Sequence, residues 1–255
     1  MMLLAAALLL ALALYAFRRL LPGRRAARRP PPAPLIYLEG NIGSGKSTLA
    51  AGLSRLGHFR VIDEPVLEWQ DVEGHNLLAL LYADQATWGF PFQALALATL
   101  GRRQTGLIAS RPDGLTILER SPQCSLRVFA QALEHLGVLR PEHMAVLRVA
   151  LAAVAPPTPH PVHYLYVRTP PDTALQRIRR RGRPEEAGIT PSYLRLLHDL
   201  SDAWLLHEET DPVHELDGML PPDRLLAAAV RAVGAIYPGP AAPNTPAPEA
   251  DVEEK

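Results

Sequence analysis

Residues 40–48 read Gly-Asn-Ile-Gly-Ser-Gly-Lys-Ser-Thr and match the phosphate-binding pattern G-x-x-x-x-G-K-S. Glycines in such a loop let the backbone turn its N–H groups towards an anion, and the first turn of the following helix adds its dipole. Lys46 can reach the outer phosphates of a nucleoside triphosphate, and the Ser47 hydroxyl can bind Mg²⁺. The sequence therefore predicts a triphosphate site made by Gly40, Asn41, Ile42, Gly43, Ser44, Gly45, Lys46, Ser47 and Thr48.

Charged side chains follow two further apolar runs. Glu64 comes directly after residues 60–63, and Glu119 and Arg120 come directly after residues 115–118. If these runs are neighbouring parallel strands, their carboxyl ends meet at the edge where the loop lies. Glu64 can then accept the proton of an attacking hydroxyl, Arg120 can orient Glu64 or stabilise phosphoryl charge, and Glu119 can hold Mg²⁺ through water. The alternatives are a helix-capping or surface acid at Glu64 and a structural ion pair at Glu119 and Arg120.

An arginine cluster occupies residues 177–183 and is followed by Glu185 and Glu186. Arg177 and Arg181 are four residues apart and share one helix face, whereas Arg183 lies beyond a glycine that ends the helix. An arginine-rich flap that closes over phosphates would exclude water from a charged transition state. The cluster predicts such a lid, and a solvated basic helix face is the alternative.

Aromatic side chains and one amide are concentrated between Tyr82 and Gln93. Rings can stack on a flat heterocycle, and a bidentate amide can read its edge. The segment is therefore a candidate for binding a base, although a single aromatic residue of this kind is more often part of the core than a ligand contact.

Composition divides the 255-residue chain into three segments. Residues 1–34 are an apolar stretch followed by an arginine- and proline-rich stretch, residues 35–237 form the predicted domain, and residues 238–255 form an acidic tail without apolar periodicity, which we expect to be disordered. The 26 basic and 26 acidic residues balance, so nucleic acid is not a predicted partner. A single cysteine, Cys124, excludes an intrachain disulfide and is expected to be a buried thiol.

The N-terminal segment allows three interpretations. Its apolar part is near the lower length limit for crossing a bilayer, and the arginines that follow would keep the domain in the cytosol, with membrane contact through residues 1–21. Its arginine content and lack of acids also fit a mitochondrial targeting segment. The third interpretation is an unimportant extension.

Apolar runs alternate with helical patterns through the predicted domain. Strands are predicted at residues 35–39, 60–63, 115–118, 163–167 and 213–216, and helices at 48–56, 93–108, 125–136, 141–154, 171–180, 191–206 and 222–236. This alternation predicts an α/β fold with a five-stranded parallel sheet covered by helices on both faces. A ligand then belongs at the carboxyl ends of the strands, where the phosphate loop lies.

Taken together, the motifs resemble the cellular deoxyribonucleoside kinases, which comprise deoxycytidine kinase, deoxyguanosine kinase, mitochondrial thymidine kinase and a multisubstrate form. The resemblance rests on residues 36–49, Glu64-Pro65-Val66, Asn76-Leu77-Leu78 with Tyr82, Pro91-Phe92-Gln93, Glu119-Arg120-Ser121 and residues 181–189, which occur in that order. It implies a P-loop kinase fold with an arginine lid. It also implies Mg²⁺-dependent transfer of the ATP γ-phosphoryl group to the 5′-hydroxyl of a deoxyribonucleoside, in a homodimer.

The resemblance also implies a role for each matching residue. Glu64 resembles the general base, Arg120 its partner at the 5′ oxygen, and Gln93 the base-reading amide. The remaining implied contacts are the base slot at Trp69, Phe92 and Phe129, the 3′-hydroxyl pair at Tyr82 and Glu186, and the lid cations Arg177, Arg181 and Arg183.

Base preference depends on two positions in this resemblance. Leu100 and Ser125 stand where deoxycytidine kinase has an arginine and an aspartate that assist the base contact. Uncharged residues there are more similar to the thymidine-accepting members, which favours thymidine or a broad pyrimidine range. The alternatives are a thymidylate-type nucleoside monophosphate kinase and a catalytically silent, membrane-tethered nucleotide-binding protein.

Overall fold

The computed structural model describes residues 32–110 and 114–238. Most of the predicted N-terminal segment and of the acidic tail therefore lies outside the described residues. Among the helices of the described ranges, none is both long enough and apolar enough to cross a membrane.

The centre of the domain is a parallel five-stranded sheet with the order β2-β3-β1-β4-β5. This confirms the predicted α/β architecture, and the strand bounds differ from prediction by at most one residue at either end. The strands are β1 Leu35–Glu39, β2 Arg60–Ile62, β3 Thr116–Glu119, β4 Val162–Arg168 and β5 Val213–Asp217.

Helices connect the strands and cover the sheet. They are α1 Lys46–Arg55, α2 Val66–Gln70, α3 Leu77–Ala83, α4 Gln85–Ser110, α5 Pro122–Cys124, α6 Gln131–His135, α7 Pro141–Val154, α8 Pro171–Arg181, α9 Pro191–Asp202 and α10 Pro222–Ile236. A π-helical turn, Ser125–Ala130, joins α5 to α6, and another, Ala203–Glu208, extends α9. A 3₁₀ turn, Pro184–Gly188, follows α8.

The alternation of side chains along β1 explains why both faces carry helices. Ile36 and Leu38 pack in one apolar cluster with residues of α1 and α10. Leu35 and Tyr37 point to the opposite face, where their cluster includes residues of α8 and α9. Because both faces are buried, the strand reads as a continuous apolar run in the sequence.

A third apolar cluster joins α2, α3, α4 and α7 beside the sheet. The sequence analysis did not predict α2 or α3, and it started α4 at residue 93 rather than 85. Pro91 lies inside α4, where a proline usually predicts a helix boundary. Packing of Phe92, Leu97 and Leu100 in this cluster favours a continuous helix despite the missing N–H of the proline.

Candidate active site

The phosphate loop connects β1 to α1 and is shaped by close backbone contacts. Gly40 has a φ of 146°, and a Cβ there would lie 2.6 Å from the carbonyl oxygen of Val167. Gly43 has a φ of 73°, and its Cβ would lie 2.5 Å from the carbonyl oxygen of Ala174. Glycine is therefore required at both positions by conformation and by space.

Lys46 is the first residue of α1 and is 5% exposed. Its Nζ donates hydrogen bonds to the carbonyl oxygens of Gly40 and Asn41, each at 2.8 Å. Burial lowers the pKa of the Lys46 amine to about 8, and Arg120 also acts to lower it. The cation is thus held at the mouth of the loop with little water around it, where a phosphate can become its partner.

Glu64 and Arg120 form a salt bridge between the ends of β2 and β3, with Arg120 Nε donating to Glu64 Oε1. The guanidinium carbon also lies 4.6 Å from the centroid of the Phe129 ring. Burial alone would raise the pKa of Glu64, but the charges of Arg120 and Lys46 hold it below its usual value. Glu64 is therefore an ionised carboxylate that can accept a proton.

Glu119 is the second carboxyl group at this edge of the sheet. Burial and the charge of Glu64 raise the pKa of Glu119, so the two carboxyl groups are driven apart in acidity. Ser47 Oγ donates to Glu119 Oε1 at 2.7 Å. This hydroxyl and carboxylate are hard oxygen donors next to the phosphate loop, and such a donor set fits Mg²⁺ that keeps several of its waters.

One cavity of about 620 Å³ collects nearly all of the predicted site residues. Gly40 and Asn41 do not line it. Asn41 instead supports the loop, since its Nδ2 donates to the carbonyl oxygen of Leu194 and its Oδ1 accepts from the N–H of Ile42. The predicted residues that line the cavity are Ile42, Gly43, Ser44, Gly45, Lys46, Ser47, Thr48, Glu64, Trp69, Tyr82, Phe92, Gln93, Leu100, Glu119, Arg120, Ser125, Phe129, Arg177, Arg181, Arg183 and Glu186.

The part of the cavity away from the loop is lined by aromatic side chains. Trp69 and Phe92 meet edge to face with ring centroids 5.3 Å apart, and Trp69 Nε1 donates to Thr99 Oγ1 at 3.0 Å. Gln93 is 2% exposed, and its Oε1 accepts a hydrogen bond from Ser125 Oγ at 2.8 Å. That bond fixes the amide so that its other end is aligned in advance for a planar ligand.

The arginine cluster is divided between two sets of partners. Arg177 donates to the carbonyl oxygens of Ser44 and Gly218, at 2.9 and 2.8 Å. Arg181 and Arg183 both pair with the buried carboxylate of Glu186. The first of these arginines is therefore bound to backbone oxygens, whereas the last two share one carboxylate.

Several cavity residues were missed by the sequence analysis. They are Leu49, Val66, Leu78, Leu81, Ala96, Arg180, Tyr193 and residues 218–222, with Leu225. Residues 218–222 follow β5 at the carboxyl edge of the sheet, so the rule that placed Glu64 could also have identified them. Arg180 belongs to the arginine cluster already recognised, whereas Leu81 carries no sequence signal that separates it from core leucines.

The site can be compared with proteins of known function. The thymidine kinase of Ictalurid herpesvirus 1 is 35% identical over 190 residues, covering 73% of this chain and 81% of that protein. Thymidine kinase 2, mitochondrial, of Homo sapiens is 32% identical over 182 residues, covering 70% and 67%. A probable deoxycytidine kinase of fowlpox virus is 35% identical over 189 residues, covering 72% and 78%.

A family model gives the same result over most of the domain. Residues 36–223 match the model described as deoxynucleoside kinase, a range that includes the loop, the Glu64–Arg120 pair and the lid. With this match, and with relatives above 30% identity over about two thirds or more of their length, the chain is a kinase of the deoxynucleoside kinase family.

Proposed function

We propose that this protein transfers the γ-phosphoryl group of ATP to the 5′-hydroxyl of a deoxyribonucleoside, with a preference for thymidine or for pyrimidines in general. The observation that carries the proposal is the Glu64–Arg120 salt bridge, which lies in the same cavity as Lys46 and Ser47. A proton acceptor and a phosphate-binding loop then face one another across the position of an attacking hydroxyl.

In this mechanism Glu64 accepts the proton of the 5′-hydroxyl as that oxygen attacks the γ-phosphorus. Arg120 holds Glu64 in place and adds positive charge near the 5′ oxygen. Lys46 and the loop N–H groups stabilise the charge that spreads over the transferred group. Arg177, Arg181 and Arg183 close over the phosphates and exclude water, once Arg181 and Arg183 have left Glu186.

The acceptor is oriented by the far end of the cavity. Gln93 reads the edge of the base, and the rings of Trp69, Phe92 and Phe129 enclose its faces. Tyr82 and Glu186 bind the 3′-hydroxyl. When the nucleoside binds, Glu186 can give up its arginine partners for that hydroxyl, which would link acceptor binding to release of the lid cations.

Magnesium fits the site through the Ser47 hydroxyl and, across water, the Glu119 carboxylate. It would supply charge neutralisation between the β- and γ-phosphates. In the described part of the chain, no three His, Cys, Asp or Glu side chains form a cluster able to hold a metal ion. Substrate phosphates and water would supply further oxygen ligands, which suits Mg²⁺.

The base preference rests on Leu100 and Ser125, which are both buried and uncharged. Neither offers a charge to the exocyclic amine of cytosine, and an apolar side chain at 100 leaves room for the thymine methyl group. Relatives named thymidine kinase agree with this preference, although a relative named as a probable deoxycytidine kinase matches equally well.

The resemblance to the deoxynucleoside kinases also bears on the oligomeric state. We expect a homodimer, and sedimentation velocity of the full chain would check it.

The cellular location depends on residues 1–34. They would act either as a membrane anchor that leaves the kinase in the cytosol or as a mitochondrial targeting segment. The similarity to a mitochondrial thymidine kinase supports the second of these.

The full chain should be offered labelled ATP with thymidine, deoxycytidine, deoxyadenosine, deoxyguanosine and thymidine monophosphate side by side. Labelled thymidine or deoxycytidine monophosphate as the main product is the expected result. Transfer only to thymidine monophosphate would replace the proposal with a nucleoside monophosphate kinase. No transfer to any acceptor would favour a catalytically silent nucleotide-binding protein.

A further inference from the structure

Glu39 is a carboxylate with no exposed surface, and it lies outside the lining of the active-site cavity. It is the last residue of β1, directly before the phosphate loop. Its Oε1 accepts a hydrogen bond from the backbone N–H of Ser121 at 2.8 Å, and the Ser121 hydroxyl and the Cys124 thiol also interact with the carboxylate. A fully buried carboxylate is costly, so its presence calls for a function.

Ser121 follows a residue whose backbone is strained. Arg120 has a φ of 70°, in the left-handed region that a non-glycine side chain rarely adopts. Such a conformation persists only where its surroundings impose it. The N–H of Arg120 donates to the carbonyl oxygen of Leu38 at 3.1 Å, and the next N–H along the chain is the one that Glu39 accepts.

The side chain of Arg120 depends on this backbone. Its Nε donates to Glu64, and its Nη1 donates to Sγ of Cys124 at 3.0 Å. Cys124 is placed by Ser121, since the Ser121 hydroxyl accepts the N–H of Cys124 and caps α5. Contacts from Glu39 through Ser121 therefore determine where the guanidinium meets the proposed base.

We propose that Glu39 is a positioning residue, which holds the peptide between Arg120 and Ser121 so that the Arg120 guanidinium faces Glu64. The proposal rests on the proposed function in one respect, because that function makes Glu64 the base. The contact between Arg120 and Glu64 exists whether or not Glu64 has that role. What matters in this proposal is the reach of the Glu39 acceptor oxygen to the Ser121 N–H, rather than the charge that the carboxylate carries.

Two substitutions separate reach from charge. Glu39→Gln keeps a carbonyl oxygen at the same distance from the backbone and removes the charge. Glu39→Asp keeps the charge and retracts the oxygen by one methylene, so the Ser121 N–H loses its acceptor. We expect Glu39→Asp to release Arg120 from Glu64, and Glu39→Gln to leave the salt bridge in place.

The readout is the pH titration of the Glu64 carboxyl, which NMR monitors in full-length protein with labelled glutamate. The Glu64 signal is assigned as the one that is lost in Glu64→Gln. Arg120, Lys46 and Arg183 face Glu64 and lower its pKa, Glu119 is the nearest acid, and Tyr82 is also close. Loss of an opposite charge raises a carboxyl pKa by about one unit or more. In Glu39→Asp the Glu64 titration should shift upwards by that amount, and the acid limb of kcat/KM for thymidine should shift with it.

Tyr37→Phe is the matched control. It removes a buried hydrogen bond of 2.7 Å, from Tyr37 to Gln104, on the same strand without touching Arg120. It should lower the melting temperature and leave the Glu64 titration where it is. A variant with a purely structural defect would behave in the same way.

The proposal is overturned if Glu39→Asp leaves the Glu64 titration unchanged, or if Glu39→Gln shifts it as far as Glu39→Asp does. The titration reports the Arg120–Glu64 contact whether or not phosphate is transferred. If wild-type protein transfers no phosphate but the titration shifts as expected, the proposed function fails and this inference stands. If the protein is an active kinase and the titration does not shift, only this inference fails.

Discussion

The pKa of the Lys46 amine is lowered first by burial and then by the charge of the Arg120 guanidinium. Its two hydrogen bonds, each 2.8 Å, are to oxygens of the loop itself. The ammonium group is therefore already in place before a triphosphate binds, and little has to be reorganised when it does.

The first prediction removes this cation. Lys46→Met should lower kcat for phosphoryl transfer by ~10³-fold or more, since it removes charge stabilisation in a site with little water. The loop glycines are untouched, so the melting temperature should change little. A decrease of only tenfold, measured with labelled ATP, would contradict the role assigned to Lys46.

The second prediction concerns alkaline pH. The amine carries its charge below its pKa, which burial lowers to about 8, so the charge is present at pH 7 and is lost as the pH rises through 8. We expect kcat/KM for ATP to fall above pH 8, well before an ordinary lysine would titrate. Thymidine affinity should stay constant between pH 7 and 9 and serves as the control, whereas a flat ATP profile to pH 9 would contradict the assignment.

The residues of the loop were predictable because their signal is contained in nine consecutive positions. The Glu64–Arg120 pair was predictable only as two strand ends that parallel pairing brings together. The Ser121–Glu39 contact joins residues 82 positions apart, and it lies next to the left-handed backbone of Arg120. No local pattern in the sequence carries that information.

At the scale of elements, the lid is held in place by hydrogen bonds of Glu185 as well as by the ion pairs of its arginines. The 3₁₀ turn after α8 carries Glu185, whose Oε1 accepts from Gln70 Nε2 at 2.8 Å and from Asn76 Nδ2 at 2.9 Å. Asn76 also caps α3 through the N–H of Ala79. The turn is thereby fixed to the two helices that carry Trp69 and Tyr82 on the acceptor side of the cavity.

The third prediction tests this connection. Glu185→Ala should speed backbone hydrogen exchange in residues 184–188 and raise KM for thymidine several-fold, because the lid turn loses its contacts to Gln70 and Asn76. Glu208→Ala is the control, since it removes an acid from an exposed ion pair with Arg127. Equal exchange rates in the two variants would show that Glu185 does not hold the lid.

Helix α4 shows where element prediction reached its limit. Aromatic and amide residues between 82 and 93 were recognised as candidates for base binding, but most of them belong to a helix that runs through Pro91. Tertiary contacts of α4 with α7 and α3 outweigh the local signal of the proline. The π-helical turns before α6 and after α9 have no sequence signature and were predicted as ordinary helix.

At the scale of the whole molecule, the sheet and its helices were predictable because buried parallel strands and amphipathic helices have different periods. The apolar cluster beside the sheet was not predictable from the sequence, because α2 and α3 are only five and seven residues long and show too little periodicity. These short helices still form one wall of the acceptor end, which is why several cavity residues were missed.

The fourth prediction concerns residues 1–31. Removing them should leave phosphoryl transfer unchanged, because the first strand and the phosphate loop begin after them and Ala33 still contacts His160 through its carbonyl oxygen, at 2.7 Å. The same deletion should release the protein from membranes or mitochondria in fractionated cells. Loss of the folded state on deletion would instead make this segment part of the domain.

The most direct test of the central claim compares wild-type protein with Glu64→Gln in labelled phosphate transfer from ATP to thymidine, with ATP affinity measured on both. Wild-type protein should produce thymidine 5′-monophosphate. Glu64→Gln should be slower by about 10²- to 10⁴-fold at unchanged ATP affinity, because the proton acceptor is lost and the phosphate loop is not. Equal rates for the two proteins, or no product from wild-type protein, would contradict the claim.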